Sequence, residues 1–319
     1  MNNNITTPEI DLVYLWVDGN DPEWQAKRSA FTGKKEPDNT PTNCKGRYTD
    51  NDELKYSLRS VEMYAPWIRK VFIVTDNQTP QWIDTSNPKV RIVDLTEIIP
   101  PASLPCFNSS LIEKFLYRIP DLSDHFLYAN DDMLINRPAT RSDFFTADGF
   151  PIIRLTRKPF RKLRWLWREK IMRKPLKNYS ITLGIASQIV CDKYGVYYTG
   201  MPHHNIDSYL KNDCRRMAEE VMKAEFTANA GNHTRSDSDI QRIVFSYAAL
   251  AEKRGQLRYV DKHESMLVQI HKSHHYDQLR KMNPIFFCMN DSEYCTDSDR
   301  VRMKEYLDKR FPEKSSFEK

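Results

Sequence analysis

The chain reads as an α/β domain with a mostly parallel sheet. Two observations carry that reading: four short apolar runs that are nearly continuous, and helical spacing between them. The runs are residues 10–17 (IDLVYLWV), 71–75 (VFIVT), 90–95 (VRIVDL) and 126–129 (FLYA), rich in β-branched and aromatic residues. Strands covered on both faces look like this, whereas strands with one wet face alternate. At residues 52–64, Leu54, Leu58, Val61 and Tyr64 or Ala65 recur at helical spacing, and at 109–118 Leu111, Phe115 and Ile119 share one face. Strands alternating with helices argue for a parallel sheet.

The second half predicts a helix at 236–254, with Ile240, Val244, Tyr247 and Ala251 as its stripe. Ser236 backed by Asp239 would cap it and Gly255 would close it. Residues 257–260 and 285–289 predict strands. Thr296 with Asp299 opens a last, C-terminal helix through Asp308, and 311–319 reads as a frayed tail.

At 319 residues and 40% apolar content, the chain can bury a sizeable core in one large domain or two ordinary ones. No window nears the roughly 18–20 continuous apolar residues of a membrane span. Residues 1–9 lack the basic and apolar parts of a secretion signal, so a cytoplasmic location is expected, extending to the inner face of the cytoplasmic membrane. The six cysteines include no CxxC spacing, which speaks against a structural zinc site.

The net charge of +5 hides an uneven distribution. Residues 154–177, from Arg154 to Lys177, hold eleven Lys/Arg and one acid, Glu169. Taking that +10 from +5 leaves −5 for the rest of the chain. Leu163, Leu166 and Trp167 sit at helical spacing there, so a basic amphipathic helix is expected. Two readings fit it: a solvated basic surface with its tryptophans in the core, or peripheral docking on an anionic membrane. Nucleic acid would satisfy the charge too, but no recognition motif accompanies it, so no nucleic-acid partner is expected.

Acids gather where strands end. Asp18 and Gly19 follow the first run, within WVDGNDP, where an α/β sheet collects ligands; a turn built of turn-forming residues is the plainer alternative. Asp131 and Asp132 follow the fourth run directly. Adjacent carboxylates repel unless a cation neutralises them, and hard oxygens suit Mg²⁺ or Mn²⁺. Asp291 ends the strand at 285–289 and is a further metal-ligand candidate. Arg47, Glu53 and Arg59 cluster before and within the first helix, as phosphate clamps or surface ion pairs. His203 and His204, with Arg235 and Asp239, supply candidate proton-transfer and anion-binding groups.

The order of these motifs resembles the Stealth family of capsular polysaccharide hexose-1-phosphoryl transferases, relatives of N-acetylglucosamine-1-phosphotransferase. Four blocks carry the resemblance: IDLVYLWVDGNDP at 10–22, RYTDNDELKYSLRSVEMYAPWIRKVFIVTD through FLYANDD at 47–132, MPHH through NHTRSDSDIQRIVFSY at 201–247, and CMND at 288–291. The resemblance implies a nucleotide-diphospho-sugar transferase-like (GT-A-like) core. It implies transfer of hexose-1-phosphate, of the N-acetylhexosamine kind, from a UDP-sugar such as UDP-GlcNAc to a glycan or lipid-linked glycan, with release of UMP. By position, Asp18, Gly19, Arg47, Glu53, Arg59 and Asp76 would serve the nucleotide. Asp131, Asp132 and Asp291 would serve Mg²⁺, and Asp132, His204, Arg235 and Asp239 the reaction. Residues 1–150 would then be the donor- and metal-binding half, 151–180 a basic insertion, and 181–319 the remainder with acceptor-side motifs. The rival readings are a metal-dependent glycosyltransferase releasing UDP and a non-enzymatic membrane- or polyanion-binding protein.

Overall fold

The structure, a computed structural model, describes residues 8–33, 44, 46 and 48–319. In chain order it runs β1 (Ile10–Leu15), α1 (Pro22–Thr32), α2 (Glu53–Tyr64), β2 (Val71–Thr75), β3 (Val90–Asp94), α3 (Leu95–Ile98), α4 (Ser109–Ile112), β4 (His125–Asn130) and β5 (Met133–Ile135). It continues through β6 (Ile152–Thr156), α5 (Arg161–Lys170), α6 (Asn178–Tyr194), β7 (Met201–Pro202), β8 (Asp207–Leu210), α7 (Lys211–Arg216) and α8 (Lys223–Ala228). The last elements are α9 (Ile243–Ala251), β9 (Gln256–Tyr259), β10 (Ser265–Gln269), α10 (Ser273–Met282), β11 (Phe286–Asn290) and α11 (Asp297–Arg310).

The central sheet has the order β3-β2-β1-β4-β8, its first four strands parallel and β8 antiparallel to β4. The expected α/β architecture is therefore the observed one. Its inner strands β1, β2 and β4 are largely apolar because both faces are covered, whereas the edge strand β3 is half-exposed. Val13, Phe72, Phe126 and Tyr128 pack with α6 and α9 on one side. Leu12, Tyr14, Ile73 and Leu127 pack with Leu54, Leu58 and Val61 of α2 on the other. After β1 the chain moves outward to β2 and β3, then crosses back to β4 on the opposite side. The carboxyl ends of β1 and β4 thus flank a topological switch point, where a crevice opens.

Two three-stranded sheets, β10-β11-β5 and β7-β6-β9, complete the frame. The stretches 1–150, 151–180 and 181–319 interleave: β8 extends the first sheet, and β5 pairs with β11.

Three expectations are corrected. Residues 236–242 are not helical, and α9 begins only at Ile243. Asp239 is drawn instead into hydrogen bonds with Asn108 and Asn232, which hold this stretch as a loop. Residues 109–118 are α-helical only to Ile112 and continue as a 3₁₀ turn over Glu113–Arg118. The tail is not frayed. Phe311 and Phe317 are buried, Asp84 N–H donates to the Phe317 carbonyl at 2.8 Å, and Arg59 binds Glu318 with two bonds of 2.7 Å.

Candidate functional site

A cleft of about 180 Å³ opens at the carboxyl ends of β1, β2 and β4. One wall is aromatic, built from Trp16, Trp24, Tyr48 and Phe107. Trp24 packs centroid-to-centroid at 5.5 Å on Tyr48 and 5.6 Å on Phe107. Local chemistry puts Trp24 there. The Asp21 side chain caps α1 by accepting from Glu23 N–H at 2.9 Å, and Pro22 takes the first turn, where no N–H is needed.

The cleft is also acidic: Glu53, Asp76, Asp131 and Asp132 all line it. The Glu53 side chain folds back at the start of α2, accepting from Asn51 N–H at 2.6 Å and Asn51 Nδ2 at 2.8 Å. Burial pushes the Glu53 carboxyl up to about 8, against the pull of those hydrogen bonds, and the charge of Asp50 adds to the rise. Asp50 itself rises to about 6, chiefly by burial. Asp131 stands well above the ordinary carboxylate range, first through burial and then through repulsion from Asp132, Glu53 and Asp50. Glu53, Asp131 and Asp132 in the cleft and Asp50 beside it thus crowd together, and they cannot all ionise without compensation.

A third part of the cleft carries Arg235, whose Nη2 donates to Ser109 Oγ at 3.0 Å. Asp239 does not line the cleft; buried, it accepts from Asn108 Nδ2 at 3.0 Å, Asn232 Nδ2 at 2.8 Å and Ser236 N–H at 2.9 Å. These bonds tie the Arg235 loop to α4, so Asp239 is a positioning residue.

Of the other sequence candidates, Asp76 and Asp291 border the cleft, and the remaining described ones lie outside it or in supporting positions. Asp18 accepts from Asn20 N–H at 2.8 Å and is held through its backbone by Gln78, at 3.0 and 2.9 Å. Gly19 donates its N–H to the Tyr48 carbonyl at 2.7 Å, so close that a Cβ would overlap Tyr48 Cβ and its carbonyl oxygen. Asp76 is engaged by Lys27 at 2.5 Å through one oxygen; its other, buried oxygen has no hydrogen-bond partner among the described residues. Arg59 is bound to Glu318, away from the cleft. Asp291 borders the cleft, but both its oxygens accept from Arg300, at 2.7 and 3.1 Å. His204 is not among the lining residues, and its neighbour His203 is buried between Ser265 Oγ at 3.0 Å and Asp207 Oδ1 at 3.1 Å. Arg47 lies outside the described residues.

Trp24, Phe107 and Ser109 escaped the sequence reading. Trp24 had a usable signal, three residues after a helix cap; Phe107 sits in a loop that has none.

Among the described residues, no three His, Cys, Asp or Glu side chains are spaced to enclose a metal unaided. The adjacent Asp131 and Asp132 nevertheless fit Mg²⁺ or Mn²⁺. Such ions are commonly held by one or two carboxylates, with substrate oxygens and water completing the shell.

Comparison with known proteins decides the family. Residues 8–36 match Stealth protein conserved region 1 and residues 47–153 match conserved region 2. The chain belongs to the Stealth family. Those two Stealth regions contain the aromatic residues Trp16, Trp24 and Tyr48 and the acids Glu53, Asp76, Asp131 and Asp132; Arg235 lies beyond them. The chain is 34% identical to the exopolysaccharide phosphotransferase CpsY of Mycobacterium tuberculosis over 331 aligned positions, covering 98% of this chain and 58% of that protein. It is 50% identical over 141 residues to an exopolysaccharide phosphotransferase of Streptomyces coelicolor, covering 44% of this chain and 24% of that one. It is 45% identical over 143 residues to the receptor polysaccharide phosphotransferase WefC of Streptococcus oralis, 45% of this chain and 43% of that one. The chain therefore spans between about a quarter and three-fifths of these Stealth relatives. A crystal structure of the galactosyltransferase LgtC with donor and acceptor sugar analogs aligns with 96% of this chain and 98% of its own, at 13% identity and a TM-score of 0.47. A likeness that slight bears no weight on function.

Proposed function

We propose that this chain transfers a sugar-1-phosphate, of the N-acetylhexosamine kind, from a UDP-sugar to a hydroxyl of a glycan or lipid-linked glycan, releasing UMP. The product is a phosphodiester in a capsular or surface polysaccharide. One observation carries the reading: a single cleft at the switch point joins the Asp131–Asp132 pair, Arg235 and an aromatic wall. A diphosphate needs its charge offset, its transferring oxygens held and its base packed, and these groups match those needs. The phosphotransferase names of the Stealth relatives agree with it.

In the reaction, the acceptor oxygen attacks the β-phosphorus and forms the new P–O bond. The bond from that phosphorus to the bridging oxygen breaks, and UMP leaves with the electron pair. Mg²⁺ or Mn²⁺ held by Asp131 and Asp132 would supply charge neutralisation of the diphosphate. Arg235 would donate to the phosphoryl oxygens as charge builds on them, steadied by Asp239 through the loop. We assign the acceptor's proton to Asp132 rather than His204, because Asp132 lines the cleft and His204 does not. Trp24, Tyr48 and Phe107 would pack the uracil and exclude water. There is little covalent work for the protein, so positioning dominates.

The test is a nucleotide-sugar screen with Mg²⁺ and acceptor glycans, reading the nucleotide released. UMP from the wild type, lost in Asp131→Ala, is expected. UDP would instead mean cleavage at the sugar–oxygen bond, and the reading would be wrong.

A further inference from the structure

We propose that α5 and the segment around it form a docking surface for an anionic phospholipid bilayer. This helix has its faces reversed relative to an ordinary surface helix. Phe160, Leu163, Trp167 and Ile171 are 66%, 65%, 55% and 68% exposed. At 3.6 residues per turn these four positions fall within an arc of about 80°. Roughly opposite, the side that faces the protein carries a buried Arg161. Its guanidinium donates to Ser187 Oγ at 2.5 Å and to the Tyr198 carbonyl at 2.7 Å, and Trp165 packs beside it at 4.8 Å. The two tryptophans therefore part company: Trp165 lies over Gly184 of α6, and Trp167 points away into solvent.

Charge selects the occupant of this outward apolar stripe. Of the eleven basic residues at 154–177, only Arg154 and Arg161 are buried; nine remain exposed, against the single acid Glu169. Arg164 and Lys170 border the stripe itself. A groove of about 790 Å³ beside the helix is lined by Arg157, Lys158, Arg164, Arg168 and Lys177. A second copy docked face to face would set these cations against themselves. An anionic bilayer meets both demands: acyl chains receive Phe160, Leu163 and Ile171, Trp167 sits at headgroup level, and lipid phosphates meet the Lys and Arg heads. With ten residues, α5 can lie in the interface but cannot cross it.

The experiment is co-sedimentation of the whole chain with vesicles of phosphatidylcholine, with and without phosphatidylglycerol. It is repeated at high salt, and it needs no turnover, so it stands apart from the activity assay. Two variants accompany the wild type: F160S/L163S/W167S/I171S, and R164Q/K170Q/R173Q/K174Q. All eight side chains are exposed, and matching circular dichroism and melting temperature verify that each variant is folded. The wild type should pellet with the anionic vesicles alone, less so at high salt, and each variant should bind at least tenfold more weakly. A blue shift of tryptophan emission on those vesicles should be largely lost in Trp167→Phe. Wild type remaining in the supernatant, equal binding to neutral vesicles, or variants pelleting like wild type would each overturn the proposal.

Discussion

Replacing Glu318 with Gln asks whether the last residues clasp the fold. Arg59 and Glu318 meet through two bonds of 2.7 Å, with 11% and 4% of their side chains exposed. Arg59 also donates to the Phe311 carbonyl at 2.8 Å, and Glu318 accepts from Ser315 N–H at 2.9 Å and Ser315 Oγ at 3.1 Å. Removing one charge strands the other away from water, a loss of about 3–5 kcal/mol. Replacing both with Met, set against Arg59→Met and Glu318→Met alone, removes the stranded charge, so the double variant should recover most of that loss. The cycle should show coupling above the range of about 0.5–3 kcal/mol usual for contacting residues, because two large single losses combine into a small double one. Burial would raise the Glu318 carboxyl, but the Arg59 guanidinium and the Ser315 N–H outweigh it and hold it below its ordinary 4.5. With the folded value lower than the unfolded one, the stabilisation is complete above pH 4.5 and drains away as pH falls through the folded value. Urea midpoints at neutral pH, and again below the ordinary carboxylate range, measure both effects. A loss under about 0.5 kcal/mol, the scale of an ordinary surface site, would mean that the tail carries no structural load.

Three further outcomes are expected. Arg235→Ala should lower kcat/KM for donor by about 10²–10³, the scale of removing a donor aimed at developing charge, with melting temperature nearly unchanged. Asp131→Asn should raise the melting temperature in EDTA, because it removes one of four mutually repelling carboxyls, and should abolish the rise that Mg²⁺ gives the wild type. Gly19→Ala forces a Cβ into Tyr48 and should cost about 1–3 kcal/mol in urea unfolding, with weaker donor binding as the aromatic wall shifts.

The strand leading into WVDGNDP, the run at 71–75, and FLYANDD were legible because each encodes its own environment. A short run apolar on both faces has few places to go except the middle of a covered sheet. A carboxylate pair directly after such a run is delivered to the sheet's edge with the strand. The same holds for Thr296 and Asp299, whose reciprocal bonds form a capping box within four residues.

Local pattern failed where a residue's partner is remote in sequence. Asp239 reads as part of a helix cap, yet its bond to Asn108 spans 131 residues and makes it the anchor of a loop. Arg59 and Asp291 read as ligand-binding groups until Glu318 and Arg300 occupy them. Trp165 and Trp167 sit two residues apart in the same basic run, and only the presence of α6 on one side sends one inward and leaves the other exposed. Periodicity tells which side chains share a face; what that face meets depends on chain packing brought together from elsewhere. The sheet and its acids follow from short-range chemistry, while the cleft that joins them to Arg235, and the outward turn of α5, exist only through long-range contacts.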